Sequence, residues 1–125
     1  MAENTTSQGP ALGNALLGEL DIHWLEWGER GRPVALCVHG FPDTPQTFRH
    51  LGPVLAEAGF HVVAPWLRGY APSAVPADGN YRVGTLVGDV VGLVDHLGAD
   101  DAVLVGHDWG AIIGYATVAL HPERF

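Results

Sequence analysis

Residues 102–120 read AVLVGHDWGAIIGYATVAL, and this stretch decides the fold. It begins with a short apolar run rich in Val, and its last part, from about Trp109 to Leu120, predicts a helix that ends before Pro122. Between the run and the helix lies a G-x-D-x-G pattern, Gly106-His107-Asp108-Trp109-Gly110. Small residues on both sides of a central residue are typical of a sharp strand-to-helix turn that presents a nucleophile.

Two earlier apolar runs resemble the one before this turn, namely VALCV at Val34–Val38 and FHVVAP at Phe60–Pro65. Continuous apolar runs of this length are typical of strands buried on both faces, so they predict a parallel sheet covered by helices. Within residues 17–27, apolar residues alternate with polar ones, which predicts two antiparallel strands there. Residues 1–14 show no periodicity, and we expect them to form a flexible leader.

Two more helices are predicted between the buried strands. The first begins near Pro45, after Asp43 and Thr44 as helix-capping residues, and it ends at Gly59. We expect Pro53 to kink or split it. The second helix spans residues 83–97 and stops at Gly98. The element order predicts an α/β fold with two antiparallel strands, then a mostly parallel sheet with helices on both faces.

Composition excludes several classes of function. The chain has 125 residues, with 6 basic and 14 acidic side chains, and all the basic ones are Arg. The absence of Lys excludes a phosphate-loop or Schiff-base lysine, and the net charge of -8 argues against nucleic-acid and anionic-membrane partners. A single cysteine, Cys37, allows neither an internal disulfide nor a metal cluster. With no apolar run of about 18 residues and no secretory signal, we expect a cytoplasmic protein without metal or cofactor.

A second loop with potential chemistry, residues 39–43, follows the first buried strand. Ligands bind at the carboxyl ends of strands in open α/β sheets, so this loop and the G-x-D-x-G turn should lie at the same edge. Each loop also has a purely structural interpretation. In this structural interpretation, Asp108 is the N-cap of the helix that follows it, and residues 39–43 form a turn that contains a proline. For the His39 side chain we prefer the structural interpretation, a hydrogen bond that holds the loop.

Four segments together resemble the α/β-hydrolase superfamily, in the branch of epoxide hydrolases and haloalkane dehalogenases that uses Asp as its nucleophile. They are HGFPD at 39–43, WLRGYAPS at 66–73, VGHDWGA at 105–111 and HPERF at 121–125. The likeness extends from about Leu17 to Phe125 and covers only the N-terminal half of a family member. It implies that residues 15–125 are a partial α/β-hydrolase core domain that lacks the lid and the C-terminal half.

The resemblance also implies roles for single residues. Asp108 matches the nucleophile, and the backbone N–H groups of Phe41 and Trp109 match the oxyanion hole. The supporting positions are His39, Gly40, Pro42, Gly106 and Gly110. His107 is expected to be structural, and the segment Arg68-Gly69-Tyr70 is expected to pack beside the site. Ala71 stands where many relatives have Gly.

The residue types favour attack on an sp³ carbon. An aspartate is ionised at pH 7 and needs no base to attack an epoxide or a halide, whereas a serine does. A serine esterase is nearly excluded, because neither Ser7 nor Ser73 stands at the centre of a strand-to-helix turn flanked by small residues. A cysteine nucleophile is not expected either, because Cys37 lies inside a predicted buried strand. Phe41 offers no side-chain N–H for a halide where many dehalogenases carry Asn, although Trp109 offers one. We therefore favour a small, apolar epoxide as substrate.

Other parts of the family's machinery are expected to lie outside these 125 residues. They are a base His, an acidic residue that orients it, and lid Tyr residues that protonate the opening epoxide. His121 is not expected to be the base, and Tyr70, Tyr81 and Tyr115 do not match the lid positions. We expect the polypeptide alone to be poorly soluble or partly folded and at best to be alkylated once. A haloalkane dehalogenase-type hydrolase and a truncated, non-catalytic binding protein remain the alternatives, and the oligomeric state is open.

Overall fold

The computed structural model describes residues 9–125, which form a five-stranded mixed sheet with helices on both faces. The strands are Ala11–Leu17 (β1), Leu20–Trp27 (β2), Val34–Val38 (β3), His61–Pro65 (β4) and Ala102–Gly106 (β5). Their order in the sheet is β1-β2-β4-β3-β5. The pairs β3–β4 and β3–β5 are parallel, whereas β1–β2 and β2–β4 are antiparallel. The predicted α/β class is confirmed.

The first strand corrects two predictions of the sequence analysis. Residues 17–27 contain one strand, β2, rather than two, because its antiparallel partner β1 already ends at Leu17. β1 begins at Ala11, so residues 11–14 belong to a strand rather than to the leader, and residues 1–8 lie outside the described part. β1 is at an edge of the sheet and pairs with β2 alone, and both Leu12 and Leu16 are exposed. A strand with so little burial carries no apolar alternation, so nothing in its sequence distinguishes it from a leader.

The helices follow their predicted positions closely. The first segment is divided into a 3₁₀ turn at Pro45–Phe48 and an α-helix at Leu51–Glu57 (α1). The division falls at residues 49–50 rather than at Pro53, which lies in the first turn of α1, where a missing N–H breaks no helical hydrogen bond. The Thr44 hydroxyl accepts a hydrogen bond from the Gln46 N–H at 3.2 Å, as a capping residue does. The second helix is Val83–His96 (α2) and the third is Trp109–Leu120 (α3). None of the helices in residues 9–125 is long and apolar enough to cross a membrane.

The core has two parts, one on each face of the sheet. On one face, β3 and β4 pack against α2 and α3 through Leu36, Val63, Leu93 and Ile113. The other face packs against the 3₁₀ turn and α1 through a smaller set that includes Cys37, Phe48 and Val62. These layers hold the carboxyl ends of β3 and β5 side by side.

β5 forms the other edge of the sheet and pairs with β3 alone among the described strands, so it is not buried on both faces as its apolar run predicts. Val103 on β5 is 51% exposed, and the outer surface of α3 is also apolar and exposed at Ile112, Tyr115 and Val118. An apolar edge strand beside an uncovered helix face favours association of the chain with other apolar surfaces.

Candidate active site

The turn between β5 and α3 holds Asp108 in an unusual backbone conformation. Its φ is 58° and its ψ is -123°, and it is the only non-glycine residue in positions 9–125 with a positive φ. Such a conformation costs about 1–3 kcal/mol and persists only where the surroundings impose it. Here the His107 N–H donates to the Val38 carbonyl at 3.1 Å, and the Gly110 N–H donates to the His107 carbonyl at 2.8 Å.

Glycine is required around this turn because backbone segments approach closely. A Cβ on Gly110 would collide with the Val38 carbonyl, and one on Gly106 would collide with the Gly110 carbonyl. A Cβ on Gly40 would lie 2.6 Å from Oδ2 of Asp108. The loop after β3 and the turn after β5 therefore touch at the nucleophile candidate, and this contact depends on the absence of side chains.

The Asp108 carboxylate is hydrogen-bonded by the main chain. The Phe41 N–H donates to Oδ2 at 2.9 Å, across 67 positions of sequence. The hydrogen bond from Phe41, followed by one from the Trp109 N–H, lowers the pKa of Asp108 below its usual range. The structure thus brings together the three residues Asp108, Phe41 and Trp109, and the carboxylate is ionised at neutral pH.

His39 lies beneath this contact and holds the loop after β3. Its ring is fully buried; Nδ1 lies 2.8 Å from the Gly40 carbonyl, and Nε2 accepts a hydrogen bond from the Leu67 N–H at 3.1 Å. These partners assign the ring proton to Nδ1, and burial lowers the pKa of His39. His39 therefore joins two loops at the site and orients Phe41, which precedes Pro42 through a cis peptide bond.

An apolar cavity of about 350 Å³ opens beside the carboxylate. Its lining includes Phe41, whose N–H binds Asp108, and Trp109, which follows Asp108 in the chain, and four of its residues are aromatic. The full lining is Phe41, Leu67, Arg68, Tyr70, Tyr81, Leu86, Trp109 and Ile113. Burial and then the negative charge of Asp108 raise the pKa of Tyr70, so its hydroxyl stays protonated. The cavity suits a small apolar molecule.

Sequence reasoning found only part of this lining. Arg68 and Tyr70 lie beside the site, as the resemblance implied, whereas Tyr81, Leu86 and Ile113 were not identified as lining residues. Leu86 and Ile113 follow from the helical periodicity of α2 and α3, but the same periodicity also describes core residues. Tyr81 comes from the loop before α2, where the sequence carries no signal of its position.

The remaining chemically reactive residues lie away from the carboxylate or are occupied. Ser73 is buried; its hydroxyl donates to the Trp66 carbonyl at 2.7 Å and accepts from the His23 N–H at 2.9 Å. Burial raises the pKa of Cys37 to about 12, so its thiol is not ionised. His121 caps the C-terminal end of α3. Within residues 9–125, no group of three or more His, Cys, Asp or Glu side chains is arranged to hold a metal ion.

Comparison with known proteins shows extended similarity. A family model for the alpha/beta hydrolase fold matches residues 33–125. Epoxide hydrolase A of Mycobacterium tuberculosis is 48% identical over 101 residues, which are 80% of this chain and 31% of that protein. An epoxide hydrolase of Caballeronia sordidicola is 42% identical over 107 residues, or 85% of this chain and 32% of that protein.

Solved structures show the same similarity in three dimensions. The crystal structure of epoxide hydrolase A from Mycobacterium thermoresistibile superposes with a TM-score of 0.88 at 39% identity, over 92% of this chain and 36% of that one. Epoxide hydrolase VrEH1 from Vigna radiata superposes with a TM-score of 0.87 at 37% identity, over 94% of this chain and 38% of that one. The chain thus spans about a third of the length of the relatives that it matches.

Proposed function

Since the chain belongs to the α/β-hydrolase fold family, we propose that it carries the nucleophile half of an epoxide hydrolase site. The observation that carries this proposal is the 2.9 Å hydrogen bond from the Phe41 N–H to Oδ2 of Asp108. A backbone N–H from one strand-end loop reaches a carboxylate on another, beside an apolar cavity. This arrangement fixes the carboxylate without enclosing it, as a nucleophile requires.

The first step is the opening of the epoxide ring. The carboxylate oxygen of Asp108 that Phe41 does not hold attacks an epoxide carbon, and the ring C–O bond breaks as the new C–O bond forms. The released alkoxide takes a proton from solvent or from an acid of the complete site. The product is a hydroxyalkyl ester of Asp108, and no base is needed because the attacking carboxylate is already ionised.

The second step is hydrolysis of this ester. Water adds to the ester carbonyl carbon, and negative charge develops on the oxygen that faces the N–H groups of Phe41 and Trp109. Removing one donor of such a pair typically costs ~10²–10³ in rate. We expect the base for this step to be a residue other than His121, because α3 separates His121 from the turn at Asp108 by about 18 Å of helix. We expect the ester to accumulate in this chain.

One observation favours a second candidate, a haloalkane dehalogenase-type reaction. The Trp109 side chain is 46% exposed and lines the cavity, so its indole N–H is available to a leaving halide. Phe41, by contrast, offers no side-chain donor. The epoxide remains our proposal, and the relatives named above are epoxide hydrolases.

The proposal is tested by looking for the ester directly. The chain is incubated with styrene oxide, and intact mass followed by peptide mapping locates any adduct. We expect one adduct per chain, on Asp108, and none on Asp108→Asn. The matched control is Asp43→Asn, because Asp43 is a partly exposed carboxylate in the loop after β3 whose Oδ1 accepts a hydrogen bond from the Thr44 N–H at 2.8 Å. It should leave the adduct unchanged.

Adducts spread over several carboxylates, or unaffected by Asp108→Asn, would contradict the proposal. A parallel incubation with 1-bromobutane separates the two reactions. The epoxide proposal predicts an ester from styrene oxide and no bromide release above that of Asp108→Asn.

A further inference from the structure

We propose that Tyr81 selects epoxides that carry an aryl group, and that the Arg68–Asp89 ion pair is the positioning device that holds Tyr81 at the cavity. This inference rests on the proposed function, because it assigns the substrate class of the same site. It concerns the wall of the cavity that sequence reasoning did not find.

Tyr81 forms this wall from a loop rather than from the core. It lines the cavity together with Phe41, Tyr70 and Trp109, so four of the eight lining residues are aromatic. Its ring packs directly on the backbone of Gly69, where an added Cβ would lie 2.7 Å from the Tyr81 hydroxyl oxygen. Tyr81 is nevertheless 47% exposed, so packing against the core does not explain its position.

Arg68 connects the Tyr81 loop to α2. Its guanidinium binds both carboxylate oxygens of Asp89, at 2.7 and 2.8 Å, and its third hydrogen bond goes to the Asn80 carbonyl at 2.9 Å. Both side chains of the ion pair are largely buried, with 11% and 15% exposed. A bidentate, largely buried pair of this kind is stronger and more directional than a surface ion pair.

The residues on either side of Tyr81 are also fixed. The Asn80 side-chain oxygen accepts hydrogen bonds from the Arg82 N–H and from the Thr85 hydroxyl, both at 3.1 Å. The Asn80 carbonyl, which belongs to the peptide bond with Tyr81, is the group that Arg68 holds. The Arg68–Asp89 ion pair therefore fixes the backbone next to Tyr81 and, through it, the position of the Tyr81 ring.

An aryl substituent matches this lining better than a small alkyl one does. Aromatic pairs contribute beyond the area that they bury, by an amount that corresponds to about 2- to 12-fold in rate or affinity. The methyl group of a small alkyl epoxide makes no aromatic pair and therefore lacks this contribution. The preference for an aryl over an alkyl epoxide should therefore depend on Tyr81.

The experiment compares the rates at which styrene oxide and propylene oxide form the Asp108 ester. Tyr81→Ala should lower the styrene-to-propylene rate ratio by about 2- to 12-fold. Tyr81→Phe keeps the ring and should restore the ratio. A ratio that is the same in Tyr81→Ala and in the unmodified chain would overturn the inference.

Asp89→Asn tests the positioning role, since Asp89 does not line the cavity. It should lower the same ratio, by less than Tyr81→Ala does. The matched control is Asp95→Asn on the same helix, which breaks the ion pair of Asp95 with Arg124 at 2.7 Å, away from Tyr81. It should leave the ratio unchanged. If Asp89→Asn slows both epoxides equally, its role is only structural and the positioning claim is wrong.

A binding measurement separates failure of this inference from failure of the proposed function. If neither epoxide modifies Asp108, the proposed function fails, but the binding preference of the cavity can still be measured. Binding of 1-phenylethane-1,2-diol and propane-1,2-diol to the Asp108→Asn chain is then followed by NMR. Tyr81→Ala in that background should lower the preference for the phenyl diol by about 2- to 12-fold. An unchanged preference, or none to begin with, refutes the role of Tyr81.

Discussion

Glu26 and Asp108 are two carboxylates with lowered pKa values, and they lie towards opposite ends of the sheet. Asp108 follows the carboxyl end of β5, whereas the Glu26 carboxylate lies 3.6 Å from His61, the first residue of β4. Burial pushes the pKa of Glu26 upward, but hydrogen bonds from Trp24 and Arg30 outweigh it. The pKa of Asp108 is lowered by main-chain N–H groups instead.

The two carboxylates differ in access rather than in ionisation. Glu26 is 6% exposed, and its two oxygens accept from Trp24 Nε1 at 2.8 Å and from Arg30 Nε at 2.9 Å. Asp108 is exposed, in a strained turn beside a cavity. A lowered pKa alone therefore does not identify a functional carboxylate. The informative feature is that backbone donors hold Asp108 while its side chain remains accessible.

The largest expected effect comes from disturbing the main chain that supports Asp108. Gly110→Ala places a Cβ against the Val38 carbonyl, and neither backbone segment can move without opening β3–β5 pairing. We expect the free energy of unfolding to fall by about 3 kcal/mol or more, measured by urea denaturation.

Gly88→Ala is the matched control for this substitution. Gly88 lies within α2, and a Cβ there would meet nothing within 4 Å. It should gain stability, by up to about 1 kcal/mol from helix propensity. Similar losses for both substitutions would show that the turn at Asp108 is not specially constrained.

A smaller effect is expected at the opposite end of the sheet. Glu26→Gln replaces a buried acceptor of two hydrogen bonds with an amide that directs N–H groups at Arg30 or Trp24. We expect a loss of about 1–3 kcal/mol in the free energy of unfolding. The rate of ester formation on Asp108 should not change under conditions where the chain stays folded. A large fall in that rate would show that the two ends of the sheet are coupled.

Much of the fold could be predicted because burial and periodicity coincide in its central elements. Apolar runs predict the strands β3, β4 and β5, of which β3 and β4 are fully buried. Periodicity predicts the extents of α2 and α3, and the glycines that end the first two helices, Gly59 and Gly98, have φ values of +103° and +71°. β1 could not be predicted, because its stability comes from pairing with β2 rather than from burial of its own side chains.

The candidate site, like the fold, has a part that the sequence predicts and a part that it does not. The turn at Asp108 and the loop at Phe41 carry local patterns, and the topology of a parallel sheet brings them to one edge. Tyr81 carries no pattern, because Arg68 places it through a backbone carbonyl on a loop. Positions fixed by long-range hydrogen bonds to the main chain leave no trace in residue type.

The smallest expected effect is the response of ester formation to pH. The pKa of Asp108 is lowered by hydrogen bonds from Phe41 and Trp109, so the carboxylate is fully ionised above the usual carboxyl range of ~3.9 and loses its charge only below it. Between pH 5 and 8 the rate of ester formation, after subtraction of the rate of the Asp108→Asn chain, should therefore change by less than about twofold.

The stability of the fold depends on pH in the same direction through Glu26. Because the pKa of Glu26 is lowered in the folded chain, its ionised form stabilises the fold above the unfolded-state pKa, and this stabilisation is lost as the pH falls through the folded-state pKa. A rate of ester formation that rises about tenfold between pH 5 and 8 would instead indicate that a second titrating group activates the reaction. Asp108 would then share with Glu26 a dependence on side-chain partners, and the distinction between the two carboxylates would no longer hold.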